Sequence, residues 1–231
     1  MDLTNNTACI ISFGHGGHYP VGVRRLERSL NFTGWAGDVI TWKDELPPGC
    51  PDPRDYPYAF KVYCFEEAFR RGYKVVLWAD ASIWNISPVM PIFDYINEHG
   101  LYFFKSGYSL AETTTDALLR YAGDINRESL INVSEFATGL VGINIDNPKG
   151  KEFFETWKQY MLDGMFKGSR FHNPDDSTHP LFRFGRQDQS VASIILHKME
   201  IKTCGEEMDF VAYYGTNYNP NQLIFWIQGI G

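Results

Sequence analysis

The six residues Lys74–Ala79, KVVLWA, constrain this chain more than any other segment. They form an uninterrupted apolar run of strand length and run straight into Asp80-Ala81-Ser82. A run of this kind reads as a central strand of a helix-covered sheet. Short apolar runs and helical patterns alternate on both sides of it, which predicts an α/β fold.

Before the central strand, Ala8–Phe13 predicts a strand that ends in the Gly14–His18 loop. Val21–Leu30 predicts an amphipathic helix with Val23, Leu26 and Leu30 at helical spacing, and Asp38–Trp42 a second strand. The Pro-rich Leu46–Pro57 stretch reads as a loop, and Tyr58–Arg71 as a helix closed by Gly72. After the central strand, Pro88 and Pro91 open a helix running to about His99, and Leu101–Phe104 is a strand. Thr113–Tyr121 and Arg127–Val133 read as short helices. Thr138–Ile145 is a strand, and Lys149–Leu162 and Gln187–Lys198 are helices. Leu223–Ile230 is strand-like, and the stop at Gly231 leaves room for a longer chain. With no repeat or linker in view, residues 1–231 are expected to form a single domain.

Composition narrows the function. There are 21 Lys+Arg against 28 Asp+Glu, a formal net charge of −7. That balance argues against nucleic acid as a partner, which would call for a basic surplus. Cys9, Cys50, Cys64 and Cys204 include no C-x-x-C pair, so neither a zinc ribbon nor a thioredoxin motif is expected. The N-terminus has neither a basic n-region nor a long apolar h-region, and no run reaches 18 apolar residues. The expectation is a cytoplasmic protein with no membrane span, and the sequons at Asn5, Asn31, Asn85 and Asn132 are taken as chance. Gly14-His15-Gly16-Gly17 fails to complete G-x-G-x-x-G, because Tyr19 stands where the third Gly belongs. Walker A, H-E-x-x-H and G-x-S-x-G motifs are absent.

Ligand sites in open α/β sheets lie beyond the carboxyl ends of the strands, which puts Asp80 at the crevice, where it could hold a divalent cation with phosphate oxygens. The same Asp and Ser also suit a simple turn and helix cap. Three stretches occur in a fixed order: VVLWADAS (75–82), ATGLVGINIDNPKGKEFFETW (137–157) and GRQDQSVASIIL (185–196). In that order the chain resembles the GT-A fold glycosyltransferases, in which a strand of the form V-L-W/Y-x-D-x-D ends in a metal-binding Asp-x-Asp. The resemblance spans about residues 60 to 200.

It implies a mixed, mostly parallel sheet flanked by helices. It also implies transfer of a hexose-like sugar from a nucleotide-sugar donor, UDP-linked before GDP-linked, to a glycan hydroxyl, with Mn²⁺ or Mg²⁺ as cofactor. By the same resemblance, Asp80 and Ser82 would hold the metal. Ser12, Gly14, Lys61, Asp80, Ser82, Thr138, Gly139 and Arg186 would meet the donor, with Lys61 on its phosphates. Asp188 and Gln189 would flank the reacting sugar carbon, and their Asp-Gln form favours retention of configuration. The Phe171–Pro180 loop, through His172, Asp175 and His179, would face the acceptor.

Two positions depart from the pattern. Ser82 replaces the second carboxylate of the metal motif, and Gln228-Gly229 stands where a late His-Gly would be expected. These departures keep two rivals in play. One is a sugar nucleotidyltransferase, whose N-terminal glycine-rich loop Gly14–Leu26 mimics loosely. The other is a catalytically idle carbohydrate-binding domain of the same fold.

Overall fold

The structure is a computed structural model and describes residues 7–168 and 176–229. Its centre is a five-stranded sheet of β1 (Ala8–Gly14), β2 (Asp38–Lys43), β3 (Val75–Ala79), β5 (Leu101–Ser109) and β6 (Ser134–Asn144). The order across the sheet is β2-β1-β3-β6-β5. β1 pairs in parallel with β2 and β3, while β6 runs antiparallel to both of its neighbours, β3 and β5. The sheet is therefore mixed, with four of its five strands in one direction, as expected. A smaller sheet joins β4 (Ile83–Asn85), β8 (Phe225–Ile227) and β7 (Val211–Tyr213).

Helices cover both faces. α1 (Tyr19–Phe32) and α3 (Met90–His99) lie on one side, while α2 (Ala59–Arg70), α6 (Pro148–Leu162) and α7 (Gln187–Lys198) lie on the other. The central strands explain the division, because successive side chains alternate between faces. Cys9, Ile11, Val76 and Trp78 belong to the core under α2, α6 and α7. Ala8, Ile10, Val75, Leu77 and Ala79 belong to the core under α1 and α3. Both cores are shielded from water, so these strands read as continuous apolar runs.

Several element boundaries differ from the sequence reading. Thr113–Tyr121 is two short helices, α4 (Leu110–Thr113) and α5 (Asp116–Tyr121). They are divided at Thr115, which caps α5 by accepting the Leu118 N–H. Arg127–Leu130 is a single 3-10 turn. β5 and β6 extend well beyond the predicted strands, and their pairing loses register twice, between Tyr102 and Phe104 and between Lys105 and Ser109. β4 and β7 have no counterpart in the reading. Asn85 is buried with its amide nitrogen bonded to Ser87 O and Ile224 O, so that sequon is a structural turn. All four cysteines are free. Among the described residues no helix is long and apolar enough to cross a membrane.

The topology places a crevice. The chain steps from β1 to β2 on one side and then crosses back to β3 on the other. The strand order therefore reverses between the carboxyl ends of β1 and β3, and such a switch point is where open α/β sheets open to ligands. Gly14 ends β1 there, and Asp80 follows β3.

Candidate active site

A cleft of about 960 Å³ opens at this switch point, with Gly14, Asp80 and Ser82 among its lining residues. Gly14 permits the close approach of α1. A Cβ there would sit 2.6 Å from the Tyr19 carbonyl oxygen, so any side chain would push the helix off the strand end. One wall is aromatic. Phe13 stacks on Phe60 with ring centroids 4.3 Å apart, and Phe60 lies 5.8 Å from Trp78. The Trp78 indole then donates to Asp80 Oδ1 at 2.8 Å, so the wall runs directly into the carboxylate.

Asp80 is fixed by backbone and side chain together. Its N–H donates to Gly139 O at 2.8 Å, extending the β3–β6 ladder by one residue. Its Oδ2 lies over Gly139, where a Cβ would come within 3.4 Å. The side chain remains 35% exposed to the cleft. Burial raises its pKa, with the Asp188 carboxylate adding to the rise and the Lys61 ammonium pulling against it.

Beside Asp80 lies a buried polar knot. Lys61 projects from α2 and its Nζ meets Asp188 Oδ2 at 2.7 Å, Thr138 O at 3.0 Å, Thr138 Oγ1 at 3.1 Å and Asp80 Oδ1 at 3.5 Å. The Thr138 hydroxyl in turn donates to Asp188 Oδ2 at 2.6 Å. Lys61 and Asp188 are each 3% exposed. Burial works to lower the Lys61 pKa, but the Asp188 and Asp80 carboxylates outweigh it and hold the ammonium above the ordinary lysine value. Asp188 stands in the first turn of α7, where a carboxylate favours the helix dipole. Trp157 Nε1 bonds its backbone carbonyl at 3.3 Å.

The structure thus brings Asp80, Lys61, Thr138, Gly139 and Asp188 together, and it shows what three of the expected site residues bond within the chain. Lys61, expected on the donor phosphates, bonds Thr138 and Asp188 and lies 3.5 Å from Asp80, so in this arrangement it ties the two carboxylates together. Ser12 was expected to touch the donor, but it is fully buried and its hydroxyl bonds Ala79 O at 2.6 Å. That bond clamps β1 to β3 just past the last paired residues, Ile11 and Trp78. Gln189, expected beside the sugar, donates its amide to buried Glu135 at 2.7 Å.

Arg186 caps α7, lies over the Phe184 ring at 5.8 Å and reaches Gln189 Oε1 at 3.5 Å. His179 meets Glu128 at 3.0 Å and is not among the residues that line the cleft. His172 and Asp175 lie outside the described residues.

Sequence reasoning missed three residues. Glu135 is fully buried on β6 and also accepts from Ser106 at 2.7 Å; burial raises its pKa against the pull of these bonds. Tyr58 precedes α2 at φ 68°, a left-handed conformation that is rare for a bulky residue, and its ring lies 5.4 Å from Lys61 Nζ. Burial raises the pKa of Tyr213 of β7, with the Arg186 guanidinium pulling against the rise and the Asp80 and Glu135 carboxylates adding to it. The only local signal for any of them was Tyr58 following the Pro-rich loop.

The chain matches no protein-family model and no curated protein. Among solved structures, it is similar to the apo structure of WbbM, a bifunctional glycosyltransferase. The TM-score is 0.55 at 10% identity, over 98% of this chain and 46% of that one. The chain thus spans about half the length of WbbM. It is also matched, at TM-score 0.41 and 10% identity over 68% of each chain, to a glycosyltransferase involved in glycosylation of the major capsid of PBCV-1. The α/β architecture, with its mixed central sheet flanked by helices, is one that this chain shares with a solved glycosyltransferase.

Proposed function

We propose that this protein is a glycosyltransferase that moves a sugar from a nucleotide-sugar donor, with UDP as the favoured nucleotide, to a glycan hydroxyl. One observation carries the reading: Asp80 stands at the carboxyl end of the central strand, on an aromatic-walled cleft, held by Trp78 and the Gly139 carbonyl with Lys61 behind it. The Phe13–Phe60 wall suits a nucleotide base, and Asp80 suits the charged end of the same ligand.

A divalent cation, Mn²⁺ or Mg²⁺, is part of the proposal. Trp78 occupies Asp80 Oδ1, which leaves Oδ2 for a ligand. Among the described residues no three His, Cys, Asp or Glu side chains gather as a cation cage. The donor set therefore fits a cation held by one carboxylate and completed by substrate phosphates and water, the manner in which Mg²⁺ is commonly bound. Asp80 would hold it, with the Ser82 hydroxyl as a neutral helper. Bound there, the cation would neutralise charge growing on the departing nucleoside diphosphate. Arg186, at the head of α7, would share that charge.

Asp188 supports retention over inversion. Its Oδ2 is engaged by both Lys61 and Thr138, so it is poorly disposed to take a proton from an acceptor hydroxyl. It serves better as a fixed negative charge beneath the sugar.

The test is a panel of UDP- and GDP-sugars offered with and without Mn²⁺. Binding is read by thermal shift, nucleotide release by a coupled assay, and anomeric configuration of product by NMR. The expected result is UDP-sugar binding and slow nucleotide release, both lost in Asp80→Asn while its melting temperature holds. Tight donor binding without transfer or hydrolysis would select the idle carbohydrate-binding reading. Absence of any nucleotide-sugar binding would overturn the proposal.

A further inference from the structure

A second cavity, of about 570 Å³, shares no lining residue with the cleft. Its walls include Arg24, Arg25 and Arg28 of α1, the exposed Val21 and Phe32, and Trp84 of β4. Three cations gathered on one helix stand out in a chain of net charge −7. Among the described residues none of the three is in an ion pair. Arg25 Nη2 instead reaches two carbonyls, Ser82 O at 3.0 Å and Gln228 O at 3.2 Å, which pins the guanidinium in place. Arg25 Nε and Trp84 Nε1 are buried and have no hydrogen-bond partner among the described residues. These two donors sit in the wall behind the cavity surface, and Arg24 and Arg28, both exposed, carry the charge that faces solvent there.

The rest of the wall says what kind of ligand suits that charge. The Ser29 hydroxyl donates to Leu26 O and accepts from the Asn85 N–H. The Asn85 side-chain carbonyl accepts from Thr33, and its amide donates to Ser87 O and Ile224 O. The cavity thus offers cationic donors and apolar surface, and its two side-chain acceptors, Ser29 and Asn85, each already hold a hydrogen bond from the chain. A sugar face of hydroxyl groups needs acceptors as well as donors, whereas phosphate oxygens only accept. Arginine forks match phosphate geometry, and Val21, Phe32 and Trp84 give an apolar substituent a surface to rest on.

We propose that this cavity binds a phosphate ester with an apolar substituent, its oxygens on the Arg24, Arg25 and Arg28 guanidinium groups and its substituent against Val21, Phe32 and the Trp84 ring. The same chemistry is found in a soluble phosphomonoester and in a phospholipid headgroup, and the experiment separates the two. ¹⁵N NMR of the full chain follows the Trp84 indole resonance, identified by its loss in Trp84→Phe, during titration with phenyl phosphate. A saturable shift is expected, with phenol giving none, and at least about tenfold weaker binding in Arg24→Ala/Arg28→Ala, where two charge-assisted contacts are gone. Both arginines are exposed, so circular dichroism of the double variant should match the parent.

In the second arm, the chain is sedimented with vesicles of phosphatidylcholine alone or mixed with phosphatidylglycerol. Retention by the mixed vesicles only, lost in the double variant, identifies a lipid headgroup as the source. Phenyl phosphate binding without retention identifies a soluble ester. An indole resonance that does not move, an affinity unchanged in the double variant, or vesicle retention that survives the double variant would each overturn the proposal.

Discussion

The two faces of the central sheet are built from the same strands and have opposite characters. Toward α1 and α3, β3 presents Val75, Leu77 and Ala79 to an apolar core of Leu26, Leu30, Ile92, Phe93 and Ile96. Toward α2, α6 and α7 it presents Val76 and Trp78, and this side also holds the buried charges Lys61, Asp188 and Glu135. One face gains from every apolar contact it makes. The other carries ions whose removal from water is offset by one another and by hydrogen bonds from Thr138, Ser106 and Gln189. The contrast teaches where chemistry can sit: at the strand ends of the face that carries buried ions, with the apolar face as rigid backing.

The contrast can be broken by mutation. Lys61→Met leaves Asp188 buried without its cation and should cost about 3–5 kcal/mol of stability by equilibrium denaturation. Adding Asp188→Asn should recover much of that loss, because the orphaned charge is gone. A cost under about 1 kcal/mol for Lys61→Met would show that the knot is not held as described. On the other face, Leu77→Ala should cost about 3 kcal/mol through lost burial and a cavity. There a second truncation, Leu30→Ala, should deepen the loss and not repair it. Opposite signs in the two double variants are the sharpest reading of the contrast.

Ser12→Ala should cost about 1–2 kcal/mol by leaving the Ala79 carbonyl without its partner. If the bond positions Asp80, the same variant should weaken donor binding in the thermal-shift panel more than a surface Ser→Ala does. The smallest effect belongs to Glu67 on α2. Its hydrogen bond to Arg70 lowers its pKa to about 2 from the ordinary 4.5, with Arg71 adding to the effect. A depressed carboxyl stabilises the fold above its unfolded pKa, and that contribution is lost as pH falls through the folded value. The stability gap between the parent and Glu67→Gln should therefore be steady near neutrality and close between about pH 4.5 and pH 2. A gap that does not change with pH would remove the ion pair from the account.

The main strands and helices were legible because each carries its period in the sequence: two-sided apolar runs for β1 and β3, helical spacing for α1, and Asn147-Pro148 opening α6, where Asn147 accepts the Lys149 N–H. Asp80 was legible because it ends the strongest run in the chain. Thr138 and Asp188 entered through a resemblance, and the fold does set both beside Asp80. Their partners were hidden. Glu135 sits in SEFAT, where a charged residue argues against a strand, and only the hydroxyls and amide supplied by other elements make its burial tolerable. Tyr58 depends on a backbone conformation that Gly or Asn would have advertised, and Tyr does not. The partners that Lys61 and Ser12 bond within the chain were hidden because a residue's type says what it can bond, while its neighbours say what it does bond. The split at Thr115 was visible in hindsight as a Thr-Asp helix start.

The register break between β5 and β6 has a consequence of its own. Phe136 and Thr138 face the α2–α7 side, and so do Val141 and Ile143, although an odd step separates the two pairs. The strand therefore changes phase near Gly139, as bulges near functional sites do. An insertion or deletion of one amino acid at that kink would let β6 pair as before while turning Thr138 toward the aliphatic side and stranding Lys61. Length at this one point sets whether Thr138 meets Lys61 and Asp188 or the aliphatic core.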